Sequence, residues 1–243
     1  MVPTDIGRIV ANRRSFLSAI PSMIKLRMNE DMDRKSHWEN VYRTKRADEV
    51  SWFQKQPTLS LGFIRRLVVD KATPIVDIGG GASSLVDNLV ADSYSDITVL
   101  DLSGTALVEA QQRLGERAGQ VQWLEADVLR TTLPERRFGF WHDRAVFHFL
   151  TDPSDRAAYV AQVRRALKPR GYVLIATFAE DGPSSCSGLP VARYSVESLH
   201  QEFDGDFRIV DSAREQHVTP HGTTQSFTYC LCQYQANTSS VAA

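Results

Sequence analysis

The sequence predicts an α/β protein built on a doubly wound, mostly parallel sheet that closes on an antiparallel hairpin. Three observations carry this reading. Short apolar runs of strand length alternate with segments of helical periodicity along most of the chain. The first strand-like run, residues 74–78, stops abruptly in Gly79-Gly80-Gly81. The last two runs are separated only by Pro220-His221-Gly222, a spacing that forces neighbouring antiparallel strands.

The elements follow in order. His37 to Tyr42 has the look of a short amphipathic helix, and Leu61, Ile64, Leu67 and Val68 recur at nearly helical spacing. After the strand at 74–78, residues 83–92 form a helix with Leu85, Leu89 and Val90 inward. A strand at 97–102, a helix at 105–117, strands at 121–125 and 138–142, a helix at 155–167 and a strand at 172–178 continue the alternation. Strands joined through helices are parallel, with right-handed crossovers, so both faces of the sheet are covered. Ser195 caps a helix running through Phe203, and the strands at 207–219 and 223–234 form the closing hairpin. This is a Rossmann-like arrangement narrowed by its antiparallel end.

Composition excludes several functions. The 243 residues carry 28 Lys plus Arg against 29 Asp plus Glu, a formal net charge of −1. Bulk electrostatic binding of nucleic acid needs a cation for each neutralised phosphate, so no nucleic-acid partner is expected, although a local basic patch remains open. The longest apolar stretches, such as residues 172–179, are far shorter than the roughly 20 residues that span a bilayer. Three cysteines, Cys186, Cys230 and Cys232, are an odd number in a chain of this size and point to a reducing, cytoplasmic setting.

Charge is uneven. Residues 1–29 hold Arg8, Arg13, Arg14, Lys25 and Arg27 against Asp5, a net of +4. Phe16, Leu17, Ile20, Ile24 and Leu26 would share one face of a short helix there. Two readings stand: an organellar targeting peptide, or a frayed leader with Met28 or Met32 as the natural start. The expected organisation is a basic leader over 1–35, one domain over 36–235, and a disordered tail over 236–243.

The chemistry-bearing motifs sit at strand ends. Asp77-Ile78-Gly79-Gly80-Gly81 joins a strand to a helix at the carboxyl edge of the sheet, where open α/β folds bind ligands. Asp101 ends the next strand, placed to accept two hydrogen bonds from a ribose diol. Glu125-Ala126-Asp127-Val128 follows the third strand and offers a carboxylate to an adenine amino group. A dinucleotide enzyme shares this spacing, but the third glycine of its fingerprint is Ser84 here.

Together with Val99-Leu100-Asp101-Leu102-Ser103 and the closing hairpin, these motifs resemble those of the class I S-adenosylmethionine-dependent methyltransferases, over residues 36–234. The resemblance implies a seven-stranded sheet, S-adenosylmethionine as cofactor and S-adenosylhomocysteine as product. It also implies a cofactor site formed by Trp52, Asp77, Gly79, Gly80, Gly81, Asp101, Leu102, Asp127, Val128 and His142.

The acceptor is read from the fourth strand, Trp141-His142-Asp143-Arg144-Ala145-Val146-Phe147-His148, which lacks the Asn-Pro-Pro-Tyr signature of adenine methylation in DNA. Asp143-Arg144-Ala145, Pro153, Asp155-Arg156, Tyr159, the opening at 38–42 and Ser51-Trp52-Phe53-Gln54 resemble the thiopurine and thiol S-methyltransferase branch in short patches. The same opening is similar to that of small protein-lysine methyltransferases, where an aromatic near the amino terminus closes over the cofactor. The expected acceptor is therefore a small thiol or other soft sulfur nucleophile, with a lysine of a partner protein as the alternative. Asp143, Arg144 and His217 are the catalytic candidates; Phe147, His148, Cys186, Arg193, Tyr194 and His221 are the substrate-binding ones.

A thiolate would be served by Arg144, His142, His148, His217 or His221, whereas a lysine would prefer Asp143 with Trp141, Phe147 and Phe178 as aromatic walls. His217 and His221 flank the hairpin turn, as solvated side chains, an acceptor-site base, or a weak zinc pair; no metal is expected. Cys230 and Cys232 share a strand face as core residues or, with Cys186, as a soft-metalloid trap. Residues 180–194, rich in Gly, Pro and Ser, are expected to cover the acceptor site.

Overall fold

The structure, a computed structural model, describes residues 22–236, with side chains from Asp33 onward. Residues 1–21 and 237–243, with most of the basic leader and the tail, lie outside the described residues.

One sheet organises the chain. Its strands are β1 (Ile75–Ile78), β2 (Ile97–Asp101), β3 (Val121–Glu125), β4 (Phe138–Arg144), β5 (Leu167–Phe178), β8 (Phe207–Val218) and β9 (Thr224–Tyr234), in the spatial order β3-β2-β1-β4-β5-β9-β8. The first five are parallel and β9 runs antiparallel to both β5 and β8. The seven strands and the hairpin thus match the expected Rossmann-like sheet. A short ribbon of β6 (Ser185–Cys186) and β7 (Leu189–Pro190) stands within the stretch read as an irregular cover.

Two apolar clusters sandwich the sheet. One lies under α2 (Thr58–Leu67), α3 (Leu85–Ala91) and α4 (Gly104–Leu114); it joins Leu61, Ile64, Leu89 and Leu107 to Ile75, Val99, Phe140 and Leu174. The other lies under α5 (Pro153–Ala166) and α6 (Val196–Phe203); it joins Val163 and Leu199 to Val76, Ile78, Trp141, Val173 and Ile175. Odd and even strand positions sort to opposite clusters because side chains alternate across a strand. The caps are local: Ser103 accepts from Ala106 N at the start of α4, Asp152 from Ser154 N before α5, and Ser195 from Ser198 N before α6.

The amino-terminal helix is longer than expected. α1 runs from Ser22 to Thr44, well beyond the short helix read around residues 37–42. Its carboxyl-terminal half lies over the carboxyl edge of the sheet. Glu39 accepts hydrogen bonds there from Gly104 N (2.7 Å), Thr105 Oγ1 (2.6 Å) and Ser103 Oγ (3.2 Å), all at the amino terminus of α4. Burial raises the Glu39 pKa, yet these donors together hold it below the usual value. Lys35 pairs with Glu125, and Arg34 lies between Asp127 and Asp155. A roof over the strand ends is therefore held by charge at several points.

Candidate active site

β1 pairs with β2 on one side and with β4 on the other, so the chain direction switches at β1 and a crevice opens beyond its carboxyl end. Gly79 makes this possible. It takes φ +65° while its N–H reaches Leu100 O (2.7 Å), a conformation that side chains resist. The crevice, about 810 Å³ counting the space open to solvent, is mainly apolar.

One end combines carboxylates with apolar side chains. Asp101, Leu102, Asp127 and Val128 line it together with Ile78, Leu100 and Leu150. Asp101 is only 7% exposed, and its Oδ1 accepts from Ser103 N (2.8 Å). Burial, aided by the nearby Asp77, pushes its pKa up to about 7 despite the Ser103 and Gly81 amides. A carboxylate so short of donors in an apolar cleft suits the two hydroxyls of a ribose. Asp127 has Oδ1 engaged by Leu129 N (2.8 Å) and Oδ2 near Arg34 at the mouth.

The other end carries Asp77, Gly79, Gly80, His142 and Ser60, under Trp52, Gln54 and Pro57. Asp77 Oδ1 meets His142 Nδ1 at 2.7 Å, while the buried Oδ2 of Asp77 has no hydrogen-bond partner among the described residues. Gly80 and Gly81 are needed close by: a Cβ at either would fall 2.5 Å from a carboxylate oxygen, of Asp77 and Asp101 respectively. Two buried acids lining adjoining pockets that share Tyr42, Trp52, Gly79 and Arg144 favour a cationic ligand with hydroxyls at one end and an N–H cation at the other. That is the chemistry of S-adenosylmethionine, so the donors and acceptors present fit the group.

Between these ends stand Trp38, Tyr42, Trp52, Phe149, Val146, Arg144 and Cys186. The Trp38 ring meets Trp52 edge-on at 5.7 Å and Phe149 at 5.0 Å, and Tyr42 meets Trp52 at 6.2 Å. Arg144 is locked in place. Its Nε donates to Tyr229 Oη (2.9 Å), one terminal nitrogen to Trp52 O (3.0 Å) and the other to Glu215 (3.3 Å), and the guanidinium lies 4.2 Å from the Phe227 ring centroid. Cys186 is buried, which lifts its thiol pKa to about 11.

Several expected site residues lie elsewhere, for reasons of parity and packing. Asp143 stands between His142 and Arg144 on β4 and so faces the opposite side of the sheet. It is fully buried, accepting from Tyr159 Oη (2.5 Å), Val146 N (3.0 Å) and Phe147 N, with Trp141 Nε1 donating to the same tyrosine. Burial raises its pKa to about 6. Asp143 ties down the turn after β4 and does not line the crevice. Asp143→Asn is expected to cost about 1–3 kcal/mol by breaking this set. The loss should show in the denaturation midpoint and not in cofactor affinity.

Phe147 is equally removed, packed on Tyr159, Tyr194 and Phe203 in the second core. Trp141 and Phe178, read as aromatic walls, are core residues as well. His148 is fully buried against Phe178 and Phe149, and burial drops its pKa to about 3, which removes it as a general base at neutral pH. Tyr194 packs on Phe147 in the second core, and Arg193, exposed, donates to Gly182 O within its own loop.

The hairpin histidines hold a loop instead of facing the crevice. His217 Nε2 meets Ser51 O (2.8 Å) and His221 Nε2 meets Glu49 O (3.0 Å), fastening the segment that carries Trp52. Burial lowers the His217 pKa. Cys230 and Cys232 have sulfurs 3.6 Å apart beneath the second core, on the other side of the sheet from Cys186, so the three do not converge.

Trp38 and Tyr42 belong to the short helix expected at 37–42 and to the amino-terminal resemblance, but are not among the expected site residues. Phe149, Ser60, Tyr229 and Glu215 had no signal, because α2 and the hairpin reach this edge only through tertiary packing.

A mainly apolar crevice with carboxylates at its ends opens at the switch point of a sheet ordered β3-β2-β1-β4-β5-β9-β8. Residues 75–171 match the family described as "Methyltransferase domain", and the sheet order is the one expected of a class I S-adenosylmethionine-dependent methyltransferase. Among curated proteins the chain is similar to the eEF1A lysine and N-terminal methyltransferase of Danio rerio. The match is 23% identical over 158 residues and covers 64% of this chain, which spans about a quarter (23%) of that relative's length.

Solved structures share the fold. One, from work on conversion of a disulfide bond into a thioacetal group during echinomycin biosynthesis, is 21% identical and covers 85% of this chain and 95% of its own, with a TM-score of 0.69. The N-methyltransferase NodS of Bradyrhizobium japonicum WM9, in complex with S-adenosyl-L-homocysteine, is 17% identical. It covers 81% of this chain and 97% of its own, with a TM-score of 0.62. No helix among the described residues is long and apolar enough to cross a membrane.

Proposed function

We propose that the enzyme methylates a small thiol or other soft sulfur nucleophile. The observation that carries this is the absence of an available base beside the acceptor space among the described residues. The acids lining the crevice, Asp77, Asp101 and Asp127, stand at its two ends. Asp143 is turned into the core, Glu215 is engaged by Arg144, Tyr229 and Gln54, and His217 and His221 are spent on backbone carbonyls.

When bound, the cofactor supplies an electrophilic methyl group on its sulfonium. The chain's own residues then have to align an acceptor and exclude water, and Trp38, Tyr42, Trp52 and Phe149 do both. An acceptor without a base must bring its own lone pair. A thiol with a pKa near 8.5 has a usable thiolate fraction at neutral pH, whereas an amine near 10.4 has almost no free base. The fixed guanidinium of Arg144 favours the thiolate further.

A second reading, transfer to a lysine or terminal amine of a protein, is favoured by the aromatic walls, which attract an ammonium, and by the curated relative's named activity. Incubation with cofactor and a panel of thiols, hydrosulfide, small amines and whole-cell protein separates the two. Methylated sulfur products are expected. Label confined to protein would discard the thiol reading in favour of the amine.

A further inference from the structure

The methionine end of the crevice contains a hydrogen-bonded chain that sequence motifs do not reveal. Asp77 and His142 are register partners on adjacent parallel strands and face the same side of the sheet. On that side α2 brings Ser60, whose Oγ lies 2.8 Å from His142 Nε2, while His142 Nδ1 lies 2.7 Å from Asp77 Oδ1. Ser60 is fully buried, Asp77 2% exposed and His142 4% exposed. The set is satisfied when the serine hydroxyl donates to Nε2 and Nδ1–H donates to the carboxylate.

We propose that Ser60 and His142 are positioning residues that aim the unpartnered oxygen of Asp77 at the ammonium group of the cofactor's amino-acid end. The imidazole is gripped at both nitrogens, so it cannot rotate, and it fixes the carboxylate plane in turn. Asp77 Oδ2 is left buried without a donor among the described residues, next to Gly79 and Gly80 on the wall of the crevice. A buried carboxylate oxygen without a donor is costly to keep unless a ligand supplies one. Of the two cationic groups of the cofactor, the sulfonium has no N–H, whereas the ammonium has three. The relay therefore selects for the amino-acid end, and Ser60 and His142 hydrogen-bond to neither Asp101 nor Asp127 at the adenosine end.

The proposal rests on the cofactor assignment and not on the acceptor. Two probes separate its failure from that of the assignment: S-adenosylhomocysteine, and 5′-methylthioadenosine, which lacks the amino-acid end. Titration calorimetry on wild type, Ser60→Ala and His142→Asn should show S-adenosylhomocysteine binding weakened about tenfold by the first and up to about a hundredfold by the second. Methylthioadenosine should bind all three within about twofold, which also verifies that the variants are folded. An S-adenosylhomocysteine analogue without the amino nitrogen should bind wild type and variants alike. Equal weakening of both probes, or none for S-adenosylhomocysteine, would overturn the relay. Failure of wild type to bind either probe would overturn the cofactor assignment beneath it.

Discussion

Asp101→Ala is expected to weaken S-adenosylhomocysteine binding by at least about a hundredfold, because two charge-assisted hydrogen bonds to ribose hydroxyls would be lost together. Titration calorimetry measures it directly, and an affinity within threefold of wild type would remove Asp101 from the cofactor site. The raised pKa adds a pH signature. A carboxylate that titrates near 7 in the free protein accepts from both hydroxyls only when ionised. Cofactor affinity should fall as the pH drops below about 7, with a proton released on binding.

Stability follows with the opposite sign. The folded pKa lies above the unfolded value of about 3.9, so the group's favourable contribution is complete only below that value. It is lost as the pH rises through about 7. Asp77 and Glu39 face the same carboxylate and add to its shift. Melting curves with and without S-adenosylhomocysteine between pH 5.5 and pH 8 should show the ligand-induced gap widening with pH. Asp101→Asn should flatten that trend, and a gap constant with pH in wild type would contradict the assigned shift.

The second large effect is expected at Gly79, where φ is +65° and an added Cβ would come within 2.1 Å of Val146 Cγ2. Backbone strain and overpacking act together there, for about 2–5 kcal/mol of lost stability in Gly79→Ala. At this chain length that is a fall of roughly 5–15 °C in Tm. Pairing the substitution with Val146→Ala should recover the packing part and leave the strain. Chemical denaturation of the single and double variants tests this, and full recovery would mean that conformation at residue 79 costs nothing. Gly81→Ala acts differently, by pressing on Asp101 Oδ2, and should harm cofactor binding more than its size suggests.

The placement of Arg144 shows how much of the site needed folding to appear. From sequence it was one of several polar groups at the end of β4. In the structure it joins β4 to the hairpin through Tyr229 and Glu215 and to the amino-terminal loop through the Trp52 carbonyl. Those partners come from positions 52, 215 and 229, and no local periodicity links them. His217 and His221 have the same explanation. Their neighbours, the carbonyls of Ser51 and Glu49, lie at the far end of the chain, so reading them as acceptor-site groups followed from residue type alone.

β4 gives the clearest lesson. His142, Asp143 and Arg144 are consecutive and equally suited to chemistry by composition, but a strand sends alternate side chains to opposite faces. His142 and Arg144 reach the crevice side, while Asp143 serves the turn under α5. The alternation is legible in a sequence; which parity faces the ligand is not, because that depends on which helices cover each face.

By itself the sequence determined the α/β order, the closing hairpin, the glycine turn after β1 and the acids at the ends of β1, β2 and β3. These are local features: periodicity, turn chemistry and spacing along the chain. Only the tertiary structure decided the roof formed by α1, the aromatic enclosure of Trp38, Tyr42, Trp52 and Phe149, and the Ser60–His142–Asp77 relay. The physical reason is that these contacts join residues tens of positions apart, and each exists only after burial of the two apolar clusters has fixed strand register and helix placement.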